Sequence, residues 1–136
     1  MARPIEIFVS QEQLNECLKW WQEKLFLTDW IVKAEICSPD DFIEKGNMGE
    51  NEFDMVNKSC VIRILSPKYY GNRIMIYCGE KVLVHELLHC KYDWVYCESS
   101  YEGKYVDTIE HGLLEQMAKS LIMAKYDLSL DYFISK

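Results

Sequence analysis

The residues of this chain best suited to chemistry are two histidines four positions apart, His85 and His89, with Glu86 directly after the first. They form the pattern H-E-x-x-H inside the apolar stretch 83–90. Residues four apart on an α-helix differ by about 40° of rotation and roughly 6 Å of rise, so both imidazoles reach one point above the same face. Imidazole nitrogen binds zinc at about 2.0–2.1 Å. The motif therefore predicts a zinc ion held by His85 and His89.

The carboxylate between the two histidines predicts a hydrolase. Glu86 is offset around the helix, too far to bind the same ion comfortably, but it can reach a water molecule on that ion. There it can take a proton as general base and return it to the leaving amine. The zinc would lower the pKa of the water and polarise the substrate carbonyl. The competing interpretation, two histidines that only pack in a core, explains neither their ligand spacing nor the interleaved Glu86.

A catalytic zinc site has a third protein ligand and leaves one position for water. The remaining histidine, His111, lies on the next predicted helix, and we predict it as the third ligand. Glu110 and Glu115 on the same helix remain alternatives. With His111 bound, Glu115 one turn further on can accept a hydrogen bond from a ligating imidazole, as can Asp93, one turn after His89.

Two long helices must position these residues. Residues 80–96 are apolar on most sides, which predicts a helix through the middle of the protein. Residues 98–103 form a polar loop. Residues 106–126 predict a second long helix with most of its apolar residues on or near one face. That face comprises Leu113, Leu114, Met117, Leu121 and Ala124.

The N-terminal half predicts one helix followed by strands. Ser10 opens the helix, with Gln13 in capping-box spacing. Its apolar face comprises Leu14, Cys17, Leu18, Trp21 and Leu25. Residues 30–37 alternate as a strand with one buried face, formed by Trp30, Val32, Ala34 and Ile36. Residues 52–56 and 60–65 predict a hairpin with its tip at 57–58.

Three further segments complete the predicted fold. Residues 5–9 predict an edge strand, and residues 73–77 predict a short strand or the entry to the central helix. The tail, 127–136, is expected to dock through Leu130, Tyr132 and Phe133. The order predicts an α+β fold, one domain over 1–136, with helices packed against a small mixed or antiparallel sheet.

Composition excludes several classes of function. The net charge is −7, with no run of Lys or Arg, so neither nucleic acid nor an anionic membrane is an expected partner. No window is apolar enough to span a bilayer, and the N-terminus lacks a signal-peptide pattern. The cysteines form no C-x-x-C pair, which predicts free thiols and a cytoplasmic location. They are Cys17, Cys37, Cys60, Cys78, Cys90 and Cys97.

On these motifs the chain resembles the zincin metallopeptidases. It resembles more narrowly the small metallopeptidases encoded by bacteriophages and prophages, in the stretches 20–30, 84–89 and 111–122. It is also similar to the SprT-like group, in which a His followed by Gly supplies the third ligand. His111 followed by Gly112 resembles that pair, although the gap from His89 is longer here. The resemblance implies the zincin fold, zinc and a peptide bond as target. The longer metzincin pattern and the cysteine-containing stretch of peptide deformylases are absent.

The sequence thus predicts a zinc-dependent metallopeptidase acting on a peptide or protein substrate. In such a site an edge strand, here 60–65 or 73–77, can hold the substrate by strand addition. Candidate donors to the oxyanion are Tyr69, Tyr70, Arg73, Tyr77, Tyr101 and Tyr105. Two alternatives remain: a non-catalytic domain in which four ligands enclose zinc, and a metal-dependent hydrolase of a non-peptide substrate.

Overall fold

Three α-helices, a three-stranded sheet and three short 3₁₀ helices make up the computed structural model, which describes residues 2–97 and 104–134, with side chains for all of these except 94–97 and 104–108. In chain order the elements are α1 Gln11–Lys24, β1 Ile31–Cys37, β2 Gly49–Asp54, β3 Ser59–Leu65, α2 Gly79–Cys97 and α3 Lys104–Tyr126. The predicted α+β class is confirmed. The predicted loop 98–103 lies outside the described residues. No helix in the described part of the chain has the length and apolarity to cross a membrane.

The sheet is mixed, with strand order β1-β3-β2. β1 runs parallel to β3, and β2 runs antiparallel to it, so β3 lies in the middle. The prediction of 60–65 as an edge strand was therefore wrong, because β1 covers the side of β3 that the hairpin leaves open. The predicted hairpin of β2 and β3 is confirmed, with β2 beginning three residues earlier than expected and a turn at 55–58.

The two faces of the sheet differ as the pleat requires. Ala34 of β1 and Ile62 and Ile64 of β3 are buried in the core that the helices share. Trp30 before β1 is buried as predicted, whereas Ile36, which was predicted to be buried, is 36% exposed. The opposite face carries charged side chains, which are Lys33, Glu35, Glu50, Glu52 and Arg63.

The helices pack through the apolar residues that their periodicity indicates. Ser10 caps α1 by accepting the Gln13 N–H at 3.1 Å, and Leu14, Cys17, Leu18 and Trp21 are buried. Helix α2 crosses the centre, with Leu83, Val84, Leu87 and Leu88 buried. Helix α3 buries Leu114, Ala118 and Ile122, while Leu113 is 43% exposed. The buried face of α3 therefore differs from the predicted face, because the apolar residues of α3 are spread around the helix.

One buried carboxylate ties the first turn of α2 to three other parts of the chain. Glu80 is fully buried and accepts hydrogen bonds from Trp21 Nε1 of α1 at 2.8 Å and from the Ile5 N–H at 2.8 Å. Lys125 Nζ and Tyr126 OH, at the end of α3, each donate to it at 2.7 Å. We call Glu80 and these four partners the Glu80 cluster. It fixes α1, α3 and the N-terminal segment around the start of α2.

Residues 5–9 form no strand, contrary to the prediction. The carbonyls of Ile5 and Glu6 instead accept the N–H groups of Glu80 at 3.0 Å and Gly79 at 2.8 Å. Those N–H groups begin α2 and have no partner within the helix, so the extended N-terminal segment satisfies them.

The C-terminal tail docks as predicted through Phe133 and Tyr132, but not through Leu130. Phe133 is buried and Tyr132 donates a hydrogen bond to Glu6, whereas Leu130 is 57% exposed. Residues 73–77 are neither strand nor helix entry, because their pairing is a single bridge between Met75 and Ile134. The described cysteine thiols, at Cys17, Cys37, Cys60, Cys78 and Cys90, are free and buried.

Candidate metal centre

The three histidines meet between α2 and α3. One ring nitrogen from each of His85, His89 and His111 lies within 4.8 Å of the other two. The ring centroids are 5.3 Å apart for His85 and His89, and 5.0 Å apart for His89 and His111. Three nitrogens bound at about 2.0–2.1 Å to a tetrahedral ion are roughly 3.4 Å apart, so small side-chain rotations bring them to bonding distance. The group can therefore hold a metal ion.

Glu115 contacts one of the two ring nitrogens of His85, Nδ1. Its Oε1 lies 3.2 Å from His85 Nδ1, and its Oε2 accepts a hydrogen bond from Lys81 Nζ at 2.8 Å. Burial raises the pKa of Glu115, but His85 and Lys81 outweigh it and lower that pKa to about 2. The ionised carboxylate thus orients His85 through Nδ1 and leaves Nε2 for a metal.

Asp93 orients His89 through its Nδ1 atom in the same way. His89 Nδ1 lies 2.9 Å from Asp93 Oδ1, one helical turn further on. Burial lowers the pKa of His89, but the bond to Asp93 and the charges of Glu86, Asp93 and Glu110 raise it to about 9. His89 is therefore protonated near neutral pH in the metal-free protein, and a metal ion must displace that proton.

Glu110 lies beside the same His89 ring nitrogen as Asp93. Its Oε1 is 3.4 Å from His89 Nδ1 and is buried without a geometrically sound hydrogen bond. Burial and the neighbouring charge of Asp93 raise the pKa of Glu110 to about 7. His89, Asp93 and Glu110 also lie close enough to hold an ion. That group is wholly buried and would take the His89 nitrogen that Asp93 already binds, so the three-histidine group is the better candidate.

The Glu86 carboxylate lies beside the histidines, with its side chain 7% exposed and Oε1 4.0 Å from His89 Nε2. Burial raises the pKa of Glu86, and the charges of His85 and His89 partly oppose that rise. A carboxylate whose pKa is raised toward neutrality holds a proton more readily than an exposed one. This is the property that a general base and acid needs.

Strand β2 fixes the segment that carries Glu86. Asn51 Nδ2 donates to the Glu86 carbonyl at 2.8 Å and to Cys90 Sγ at 3.4 Å. A Cβ atom on Gly49 would lie 2.6 Å from Val82 Cγ1 and 2.8 Å from Glu86 Oε2, so the strand approaches α2 this closely only with glycine there. Neither Gly49 nor Asn51 was predicted from the sequence to belong to the site, and their only signal was a glycine shortly before the predicted strand 52–56.

An open cleft of about 830 Å³ leads to the histidines. Strand β2 forms one wall through residues 49–53, His111, Gly112 and Glu115 of α3 form another, and Ile43 and Glu44 lie at its edge. Its described lining contains one lysine, Lys81, and six carboxylates. The carboxylates are Glu44, Glu50, Glu52, Glu86, Asp93 and Glu115.

The predicted oxyanion donors are not part of this cleft where the structure describes them. The Tyr77 hydroxyl donates to the Leu65 carbonyl at 2.6 Å, and the Tyr70 hydroxyl donates to the Met75 carbonyl. Tyr69 and Arg73 also lie outside the lining. The side chains of Tyr101 and Tyr105 are outside the described residues.

Comparison with known proteins adds no relative: no protein-family model, curated protein or solved structure matches the chain. The fold and the site define the class, an α+β protein with a candidate metal centre formed by two helices beside the edge of a small mixed sheet.

Proposed function

We propose that the protein is a zinc-dependent peptidase, with His85, His89 and His111 as zinc ligands and Glu86 as general base. The observation that carries the proposal is the convergence of three imidazole nitrogens within 4.8 Å beside a buried carboxylate at the end of an open cleft. Three imidazole nitrogens are a donor set that suits zinc and other late transition metals more than calcium or magnesium.

The nearby carboxylates support a catalytic site over a four-ligand structural one. Glu115 is bound to Lys81 and to His85 Nδ1. Asp93 and Glu110 lie beside His89 Nδ1, on the far side of that ring. Among these carboxylates Glu115 and Asp93 hold the Nδ1 atoms of His85 and His89, so an ion bound through the Nε2 atoms keeps its cleft side for water and substrate.

The chain's own residues then divide the work. A bound zinc ion supplies acidification of a water molecule and polarisation of the scissile carbonyl. Glu86 accepts a proton from the attacking water and delivers it to the departing nitrogen. Asp93 and Glu115 hold His89 and His85 in the tautomer that presents Nε2. Gly49 and Asn51 hold Glu86 in place from the strand side.

The cleft favours a peptide over a nucleic acid. Strand β2 is at the edge of the sheet, with no described strand beside its outer side, and five consecutive residues of it line the cleft. An extended peptide can therefore pair with the backbone groups of that outer side. This replaces the predicted edge strands with β2. Six carboxylates against one lysine repel phosphates, which disfavours the nucleic-acid alternative. Resemblance of the sequence to zincins agrees with a peptide bond as target.

The test combines metal analysis with hydrolysis of a quenched-fluorescence peptide library. We expect wild type and Glu86→Gln to bind zinc equally, and Glu86→Gln to lose about 100-fold or more in kcat. Glu23→Gln, the same change at an exposed position of α1, should behave as wild type in both measurements. Full hydrolysis by Glu86→Gln, or a wild type that binds zinc but hydrolyses no peptide, contradicts the proposal.

A further inference from the structure

The edge strand β2 presents two different faces beside the cleft. Asn51 and Phe53 point to the helices, where Asn51 binds the Glu86 carbonyl and Phe53 packs against the core. Glu50 and Glu52 point to the other face, where both form ion pairs with Arg63 of β3 at 2.8 Å. A peptide added to β2 would continue this alternation, with every second side chain on the glutamate face.

We propose that the substrates are extended peptides carrying a lysine or arginine, whose cationic side chain lies beside Glu52 and Glu44 when the peptide pairs with β2. The inference rests on the proposed peptidase function and names its substrate class. Side chains directly opposite each other on neighbouring strands have Cβ atoms about 4.5–5.5 Å apart, and opposite charges there attract.

The local charges on this face are not balanced. Arg63 is shared by three carboxylates, because Glu35 also lies 4.0 Å from it. Glu50 is further occupied by the N–H groups of Ile43 and Glu44. Glu52 keeps 53% of its side chain exposed, and Glu44 is exposed at the edge of the cleft. These two carboxylates are therefore accessible to a cation from outside.

The rest of the cleft has the same sign. Its described lysine, Lys81, is paired with Glu115, so it does not offset the glutamates of β2. The two positive charges of one bound zinc ion would still leave the negative charges of the six carboxylates in excess. A second copy of the chain is a poor partner for this edge, because its own Glu50 and Glu52 would lie against the same residues and like charges repel. A basic peptide fits both the hydrogen-bonding edge and the charge.

The test measures binding to zinc-loaded Glu86→Gln, which does not consume the ligand. Three blocked, fluorescently labelled peptides differ only at two alternating positions, which are both Lys, both Gln or both Glu. By fluorescence anisotropy we expect the Lys peptide to bind about 10-fold more tightly than the Gln peptide, and the Glu peptide to bind most weakly. Raising the salt concentration from about 0.05 M to about 0.5 M should narrow these differences, because salt screens exposed charges.

Substitutions locate the effect. In the same background, Glu52→Gln and Glu44→Gln should each reduce the preference for Lys over Gln by about 3-fold, whereas Glu23→Gln on α1 should leave it unchanged. Thermal unfolding of each variant verifies that the fold is intact. Equal binding of the three peptides, a preference for the Glu peptide, or no binding of any of them overturns the inference.

Hydrolysis separates this inference from the proposed function. Wild type that cleaves neutral and basic peptides equally well, with no charge preference in binding, keeps the peptidase and rejects the role of Glu44 and Glu52. Charge-selective binding by a protein that cleaves none of the peptides keeps the basic-peptide surface and rejects the peptidase.

Discussion

Gly49 of the edge strand and Glu86 of the central helix lie in contact, such that a Cβ atom on Gly49 would stand 2.8 Å from Glu86 Oε2. The strand that lines the cleft therefore comes close to the proposed general base at this residue. A strand lying further from α2 would leave Glu86 room to turn, so the absence of a side chain at residue 49 helps to set the position of the carboxylate.

Gly49→Ala should reduce kcat by about 10- to 100-fold, because the added methyl displaces either Glu86 or the strand. Overpacking at this contact should also lower the free energy of unfolding by about 1–3 kcal/mol. The matched control is Gly112→Ala, at a helical glycine of the same cleft where an added Cβ meets no atom within 4 Å. That control should bind zinc normally and gain about 0.5–1 kcal/mol of stability. Wild-type kcat in Gly49→Ala would contradict this role.

Asp93→Asn and Glu115→Gln should each weaken zinc binding by about 10- to 100-fold, measured by competition with a chelator. Each substitution removes the carboxylate that orients one ligating ring, His89 or His85. Glu16→Gln, an exposed change on α1, is the control and should bind zinc as wild type does. An unchanged affinity for zinc in both variants would show that the two histidines bind the ion without orientation by these carboxylates.

Zinc binding near pH 7.5 should release about one proton from His89. The metal-free pKa of this histidine is raised to about 9, so its ring is protonated there and must become neutral to bind. Calorimetry in two buffers with different heats of ionisation measures the release, which should fall to about half a proton near pH 9, where half of the His89 rings are already neutral. Asp93→Asn should reduce it, because the loss of the Asp93 carboxylate lowers the pKa of His89. A release that is the same at pH 7.5 and at pH 9 excludes His89 as its source.

Glu80→Gln should destabilise the metal-free protein by about 3 kcal/mol at pH 7, because Lys125 loses its buried partner. Burial raises the pKa of Glu80, but the bonds from Lys125, Ile5, Tyr126 and Trp21 outweigh it and lower that pKa. The unfolded chain therefore binds the proton more readily than the folded one. The stabilisation is present above the ordinary pKa of 4.5 and is lost as the pH falls through the lowered one.

Chemical denaturation of wild type and Glu80→Gln at a series of pH values measures this difference. The stability of wild type should approach that of the variant only in acid. A difference between the two proteins that does not change with pH would mean that the Glu80 charge contributes nothing.

The parts of the site that one helix determines could be predicted from the sequence. His85, Glu86, His89 and Asp93 lie within about two turns of α2, so residue spacing alone sets which of them are neighbours. The contact of Asp93 with His89 follows from the same spacing. The approach of His111 depends on how α3 packs against α2, and the sequence signals for it were that no other histidine remained and that Gly112 follows it.

The strand side of the cleft could not be predicted in the same way. Residue types that are depleted in strands occupy most of β2, at Gly49, Glu50, Asn51 and Glu52. The strand forms because β3 pairs with it. β3 became the central strand because β1 pairs parallel with it, a contact between residues nearly thirty positions apart. Hydrophobic periodicity reports burial of a face and carries no information on which strands are neighbours.

The Glu80 cluster has a consequence for how the protein acquires its ion. It joins α2 and α3 at one end through groups that need no metal, and His85 and His111 project from those same two helices. Folding therefore brings the donor atoms together in advance, and an arriving cation meets rings that need to rotate about their side-chain bonds and, at His89, to release one proton. A chelator should strip the ion and leave a protein that still unfolds cooperatively, unlike a zinc finger, whose chain has no ordered state without its metal.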